Sequence, residues 1–245
     1  MKINKIFLGC VFVGILNLIF ISSGFSGKYP DVKPVSPPLM QPTAVQPVVR
    51  QTGPGLFEIS GCKIIKEKNK VEFQAVMNMN QGVIEYLIVN TGGKVHTSLL
   101  QTSVDPSVLK ISLMMIGLQG TVQPPVEQGE SIIPEGDRVK ISLAWNENGK
   151  DRIMPVEQLI LKQGNAIDQM PWVFTGSQNE KNGVQGLVEK SLVAIYHDPA
   201  ALIDHQLIEG NNNNLWSINS EAVPPLGTLV NVIIKNPATI AWKKN

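Results

Sequence analysis

The chain has 245 residues, with 21 lysines and arginines against 20 aspartates and glutamates and a formal net charge of +1. That balance, without a dense Lys/Arg run, excludes a nucleic-acid footprint, which shows as clustered positive charge on one face. The two cysteines, Cys10 and Cys62, exclude a disulfide framework in the exported form, a Cys-rich metal site, an iron–sulfur cluster and haem attached through a Cys-x-x-Cys-His run.

The amino terminus reads MKINK and then runs uncharged from Ile6 to Ile21, followed by Ser22, Ser23, Gly24, Ser26 and Gly27. This is the basic start, apolar stretch and small-residue exit of an export signal over residues 1–27. The apolar run is shorter than the ~20 residues of a committed span. If it is not cut, residues 6–27 supply a membrane anchor, the chain's one route to the membrane. Residues 28–54 hold seven prolines without helical or strand periodicity and read as an extended, semi-rigid spacer. The remainder, residues 55–243, is long enough for one well-buried domain.

Along that domain, Leu56 to Ile65 and Lys70 to Val76 are β-rich segments joined by the polar tip Lys66 to Asn69, a first hairpin in which Lys63, Lys66, Lys68 and Lys70 form a solvated basic tip. Cys62 reads as a small buried hydrophobe within it. Gly82 to Leu100 follows, with two alternating runs about a glycine turn, and predicts a second hairpin. A two- or four-residue loop there sets Glu85 opposite Ser98 and Leu87 opposite His96, with Lys94 extending the same polar face. A three-residue loop turns His96 to the other face. Asp105 and Pro106 then open a helix over SVLKISLMMIG, Asp at the cap and Pro at the first position.

DRVKISLAW alternates strictly, with Val139, Ile141, Leu143 and Trp145 on one side; Asn146 to Gly149 is a turn and Asp151 to Met154 begins the return strand. Pro155 to Lys162 predicts a short amphipathic helix. Trp172 to Gly176, Leu187 to Tyr196 and Thr228 to Lys235 predict strands, and Pro199 to Ile203 one helical turn capped by Asp198. The fold class is α+β, a mostly antiparallel sheet built from hairpins with two or three short helices, and a β-barrel or sandwich with appended helices is the competing reading.

Glu85, Lys94, His96 and Ser98 are the candidate binding residues. A carboxylate that orients an imidazole is a recurrent element of general-base and metal sites, and a neighbouring Ser98 extends it toward a hydrolase using His96 with Glu85 and Ser98. No G-x-S-x-G elbow supports that extension. A third reading is metal binding on His96, or on His197 and His205 with Asp198 and Asp204, whose spacing matches no zinc signature. In the WVFTGS segment Trp172 and Phe174 read as core, with Gly176 and Ser177 at a turn whose amides could meet a ligand. The Asn211 to Asn214 loop lacks the glycine spacing of a phosphate cradle.

GLFEISGCKIIKEKNKVEFQAVMN, QGVIEYLIVNTGGKVHTSLL, WVFTGS, YHDPAALI and VPPLGTLVNVII resemble, in that order, the bacterial YdjY-like domain family, from Gly55 to Ile234. The most specific element is the E-Y-x-x-V, G-K-x-H pair, matched by Glu85, Tyr86, Val89, Gly93, Lys94 and His96, with Ser98 and Leu99 following. The family usually shows H-E-S after the lysine. Here His96, Thr97 and Ser98 leave out the acid, against a metal or acid–base role. The resemblance implies an exported protein of the periplasm or cell envelope without an assigned reaction. A ferredoxin-type label carried by some members does not fit this cysteine count. The expected function is a non-enzymatic domain that binds a small ligand or an envelope protein partner, with no resident cofactor or metal.

Overall fold

The computed structural model describes residues 48–121, 127–176 and 190–238. The export segment, most of the proline-rich segment and the start of the strand expected at Leu187 lie outside them. Among the described residues no helix is long and apolar enough to cross a membrane.

The last part of the expected spacer is a strand: β1 (Arg50–Gly53) pairs antiparallel with β2 (Leu56–Ile59). The run Leu56 to Ile65, expected as one segment, is itself a hairpin of β2 and β3 (Cys62–Ile65). Ser60 and Gly61 both take positive φ, 39° and 88°, and close the turn in the mirror-image geometry that matches strand twist. After the 3₁₀ turn Lys66–Lys68, Asn69 enters the left-handed region and starts β4 (Lys70–Met77).

β4 alternates half-buried with buried residues, Gln74 alone being exposed. One of its edges pairs along its length with β16 (Leu229–Lys235), while the other is divided, with β3 on its first half and β6 (Ser98–Thr102) on its last. The single α-helix among the described residues, α1 (Pro106–Met115), packs on β3 and β4 through Val108, Leu109, Ser112 and Leu113. Its cap is the one expected: the Asp105 carboxylate accepts from the Ser107 amide at 2.9 Å. Cys62 is buried beneath it, and burial pushes its thiol up to about 11, making it an inert core residue.

A second division comes at β7 (Asp137–Arg138) and β8 (Lys140–Glu147), consecutive pieces of one stretch. β7 pairs with β12 (Trp172–Phe174), whereas β8 pairs with β16 and β9 (Lys150–Pro155). Among the described residues, only β5 (Tyr86–Asn90) with β6, and β13 (Ser191–Ala194) with β14 (Ile203–His205), run parallel. A separate three-stranded sheet joins β10 (Ile160–Lys162) to β11 (Asn165–Ala166) and β15 (Trp216–Ile218).

Two expected helices are corrected. Pro155 to Lys162 forms only a 3₁₀ turn, Val156–Leu159, because Ile160–Lys162 pairs with β15 and gives its hydrogen bonds to a sheet. Pro199 to Ile203 is a turn that passes directly into β14, drawn into the sheet between β13 and β12. The core holds Trp172, Trp216, Phe73 and Phe174, all 2% exposed or less.

Gly136 marks how closely the chain entering β7 approaches β12. Its φ is +149°, and a Cβ there would stand 2.1 Å from the Phe174 carbonyl oxygen. Gly136→Ala is expected to lower the unfolding free energy by roughly 2–4 kcal/mol in urea titration. Gly149→Ala, with similar backbone sign but open space, is expected to cost about 1 kcal/mol. Equal losses would show that strain and not the close approach sets the cost.

Candidate functional site

The stretch Gly82 to Leu100 is not a hairpin. β5 and β6 are parallel, with Tyr86 beside Ser98 and Ile88 beside Leu100. All five residues of β5 are buried, as in strands covered on both faces. At its end Asn90 turns the chain: its side chain donates to the Val104 carbonyl at 2.9 Å and accepts from the Gly92 amide at 3.0 Å. A 3₁₀ turn, Val95–Thr97, then carries the backbone to the start of β6.

This return separates the four expected site residues. Ser98 is fully buried and its hydroxyl donates to the Leu100 carbonyl at 2.8 Å. His96 is exposed on the 3₁₀ turn. Glu85 precedes β5, half-buried, and accepts from the Asn213 side chain at 3.0 Å. Lys94 points elsewhere, donating to Tyr86 Oη and Gln128 Oε1, both at 3.1 Å.

Lys94 thereby joins a network that includes residues outside the expected set. Tyr86 Oη accepts from Lys94 and Gln128 and donates to Asp198 Oδ2 at 2.8 Å. Asp198, 3% exposed, also accepts from Ser191 Oγ at 3.1 Å and from the Ala200 amide at 2.8 Å, the cap expected of it. Tyr86 and Lys94 from the E-Y-x-x-V, G-K-x-H motif and Asp198 from the YHDPAALI motif meet here, although over a hundred positions separate them. The signal lay in the motifs themselves: an alternating face could not show it, because Tyr86 and Glu85 point different ways.

Behind Asp198 lies a second buried cluster. The Asp204 carboxylate, 1% exposed, accepts from His197 Nδ1 at 2.8 Å, the His205 amide at 2.7 Å and the Asp198 amide at 3.2 Å. His205 Nε2 donates to the Ile195 carbonyl at 2.7 Å while its Nδ1 accepts from the Leu207 amide at 3.1 Å. Those partners fix the neutral tautomer. His197 Nε2 is buried without a protein partner, its ring seated against Gly210, where a Cβ would come within 2.2 Å.

The ligand atoms of His197, Asp204 and His205 lie within 4.8 Å of one another. Both His205 nitrogens and both Asp204 oxygens are already engaged, however, so the three behave as a hydrogen-bonded knot in the core. A metal would have to break it. Gly176, expected to offer its amide at a turn, gives it to the Leu202 carbonyl at 3.1 Å, and Ser177 lies outside the described residues.

A concave feature lies elsewhere, at the division of β7 and β8. A cleft of about 640 Å³ opens between that stretch, the Pro155–Glu157 bend and the segment 168–172, with Pro237 at one end. This volume is in the range of small-ligand sites. Trp172 and Met170 form its buried backing and Arg138, Lys140, Asp168 and Glu157 its charged lining. Glu157 Oε1 accepts from the Trp172 indole at 3.2 Å, and Oε2 is buried without a protein partner. Burial pushes this carboxyl above its ordinary range, opposed by a backbone hydrogen bond, the indole and the charge of Lys140. Sequence reasoning missed Glu157 because it was assigned to a helix face.

A family model for the YdjY domain matches residues 63–235. Because that covers more than half of the chain, the protein belongs to the YdjY domain family. Neither curated proteins nor solved structures give a match.

The cluster gives a pH signature. Burial lowers His205 to about 4, against about 6.5 in an unfolded chain. Below pH 6.5 the unfolded state takes up a proton that the folded state refuses. Stability therefore falls between about pH 6.5 and 4, by up to roughly 3 kcal/mol from this residue. His205→Gln, which keeps a donor for Ile195, is expected to flatten the slope of unfolding free energy over that window. Identical slopes in denaturant titrations of the two proteins would refute the assignment.

Proposed function

We propose that this YdjY-domain protein is an exported, non-enzymatic component of the bacterial cell envelope, and that it binds a small ligand in the cleft between β7–β8 and Trp172. The observation that carries this reading is the cleft itself: a small-ligand volume over an apolar backing, with charged side chains of both signs in its lining and Glu157 held to the Trp172 indole.

The position of Ser98 weighs against the hydrolase alternative. A serine nucleophile must reach substrate with a base beside it, whereas this hydroxyl is closed under the sheet and committed to Leu100. His96 is exposed on the preceding turn. The metal alternative is weakened by the engaged nitrogens of His205. Export rests on the amino-terminal sequence, with the proline-rich segment as the spacer that holds the domain off the membrane or a partner.

Intact-mass measurement of protein recovered from the envelope fraction is expected to give a chain that starts near residue 28. Recovery of the full chain from the cytoplasm would sink the export assignment. For the cleft, a thermal-shift screen of small polar metabolites is expected to raise the melting temperature of the wild type and to lose its effect on Ser142→Trp, which fills the cleft from the exposed face of β8. Compounds that stabilise both proteins equally would place binding outside it.

A further inference from the structure

The charges around the cleft are sorted by element. Arg138 and Lys140 come from the β7–β8 stretch, Glu157 from the 3₁₀ turn after β9, and Asp168 from the segment that leads into β12. Arg138, Lys140 and Asp168 form no side-chain hydrogen bond or ion pair among the described residues. They have not neutralised one another, although they line the same opening.

We infer that the cleft takes a small zwitterion of the amino-acid or short-peptide class, its carboxylate on Arg138 and Lys140 and its ammonium on Glu157 and Asp168. The inference rests on the ligand-binding reading above and narrows it. Two cations and two carboxylates balance, so a dianion meets Glu157 and Asp168 with repulsion and a diamine meets Arg138 and Lys140 in the same way. A ligand with one charge of each sign satisfies both sides. Between the charged groups, Pro155 and Pro171 present rigid apolar surface, which suits a short aliphatic backbone and costs little entropy to order.

Tri-alanine, N-acetyl-tri-alanine, tri-alanine amide and the doubly blocked peptide distinguish the terms, read by calorimetry and by the Trp172 indole resonance. Tri-alanine is expected to bind saturably and each singly blocked form about tenfold more weakly. Glu157→Gln is expected to abolish the penalty for acetylation while keeping that for amidation, and Lys140→Gln the reverse. Asp168→Asn, at an exposed position, tests the ammonium side independently if loss of the Glu157 contact to Trp172 unfolds the protein. If the doubly blocked peptide binds as tightly as tri-alanine and moves the indole, the zwitterion assignment falls and the cleft stands. If no peptide moves it and the metabolite screen places binding outside the cleft, both fall.

Discussion

Two carboxylates buried in the core, Asp198 and Asp204, set the terms for much of this domain. An ionised carboxylate taken from water costs several kcal/mol unless it is fully hydrogen-bonded, so the surrounding chain has to deliver donors to fixed points. Tyr86 comes from β5, Ser191 from β13, the Ala200 amide from the following turn and the His205 amide from β14. Satisfying these two side chains therefore places three strands and a loop relative to one another. His197, held by Asp204, and His205 then pack ring to ring at 5.0 Å, with Trp172 and Trp216 on His205. The polar knot and the aromatic core are one unit.

The sheet built around that unit returns to its starting strand, from β4 through β6, β5, β13, β14, β12, the β7–β8 stretch and β16 back to β4, and divides at two places on the way. β4 shares one edge between β3 and β6, and the stretch from Asp137 to Glu147 leaves β12 for β9. A division opens a gap where one partner ends before the next begins, and the second of these gaps is the cleft. Because Trp172 backs the cleft and also contacts His205, the site and the knot share a wall. The proposed binding surface is thus placed by core packing and not by loops alone, which favours a preorganised site.

Much of the fold was legible. The Asp105–Pro106 start of α1, the alternation of β8, the turn at Asn148 and Gly149, and β16 all follow from local chemistry that needs no distant partner. Where local signals competed with the sheet, the sheet won. Ile160–Lys162 satisfies its backbone on β15 although its pattern also suits a helix, and Asp198 caps a turn that never becomes helical because β14 claims the next residues. The candidate site was less legible. Lys94 and Tyr86 were visible as motif residues, but their partner Asp198 lies far along the chain, and Glu157 carries no motif at all.

Composition and local pattern by themselves determined the strand-rich α+β class, and the motif runs carried the resemblance to the family whose model matches residues 63–235, since each depends on residue type or short-range spacing. Only the tertiary structure decided that β5 and β6 run parallel. That direction separates Glu85, His96 and Ser98, and it is set by a strand buried on both faces and by Asn90 turning the chain back. Likewise only the structure brought Lys94 to Asp198 and opened the cleft beside Glu157. Side chains remote in sequence meet through strand pairing, and pairing is fixed by the joint burial of many residues rather than by any one segment.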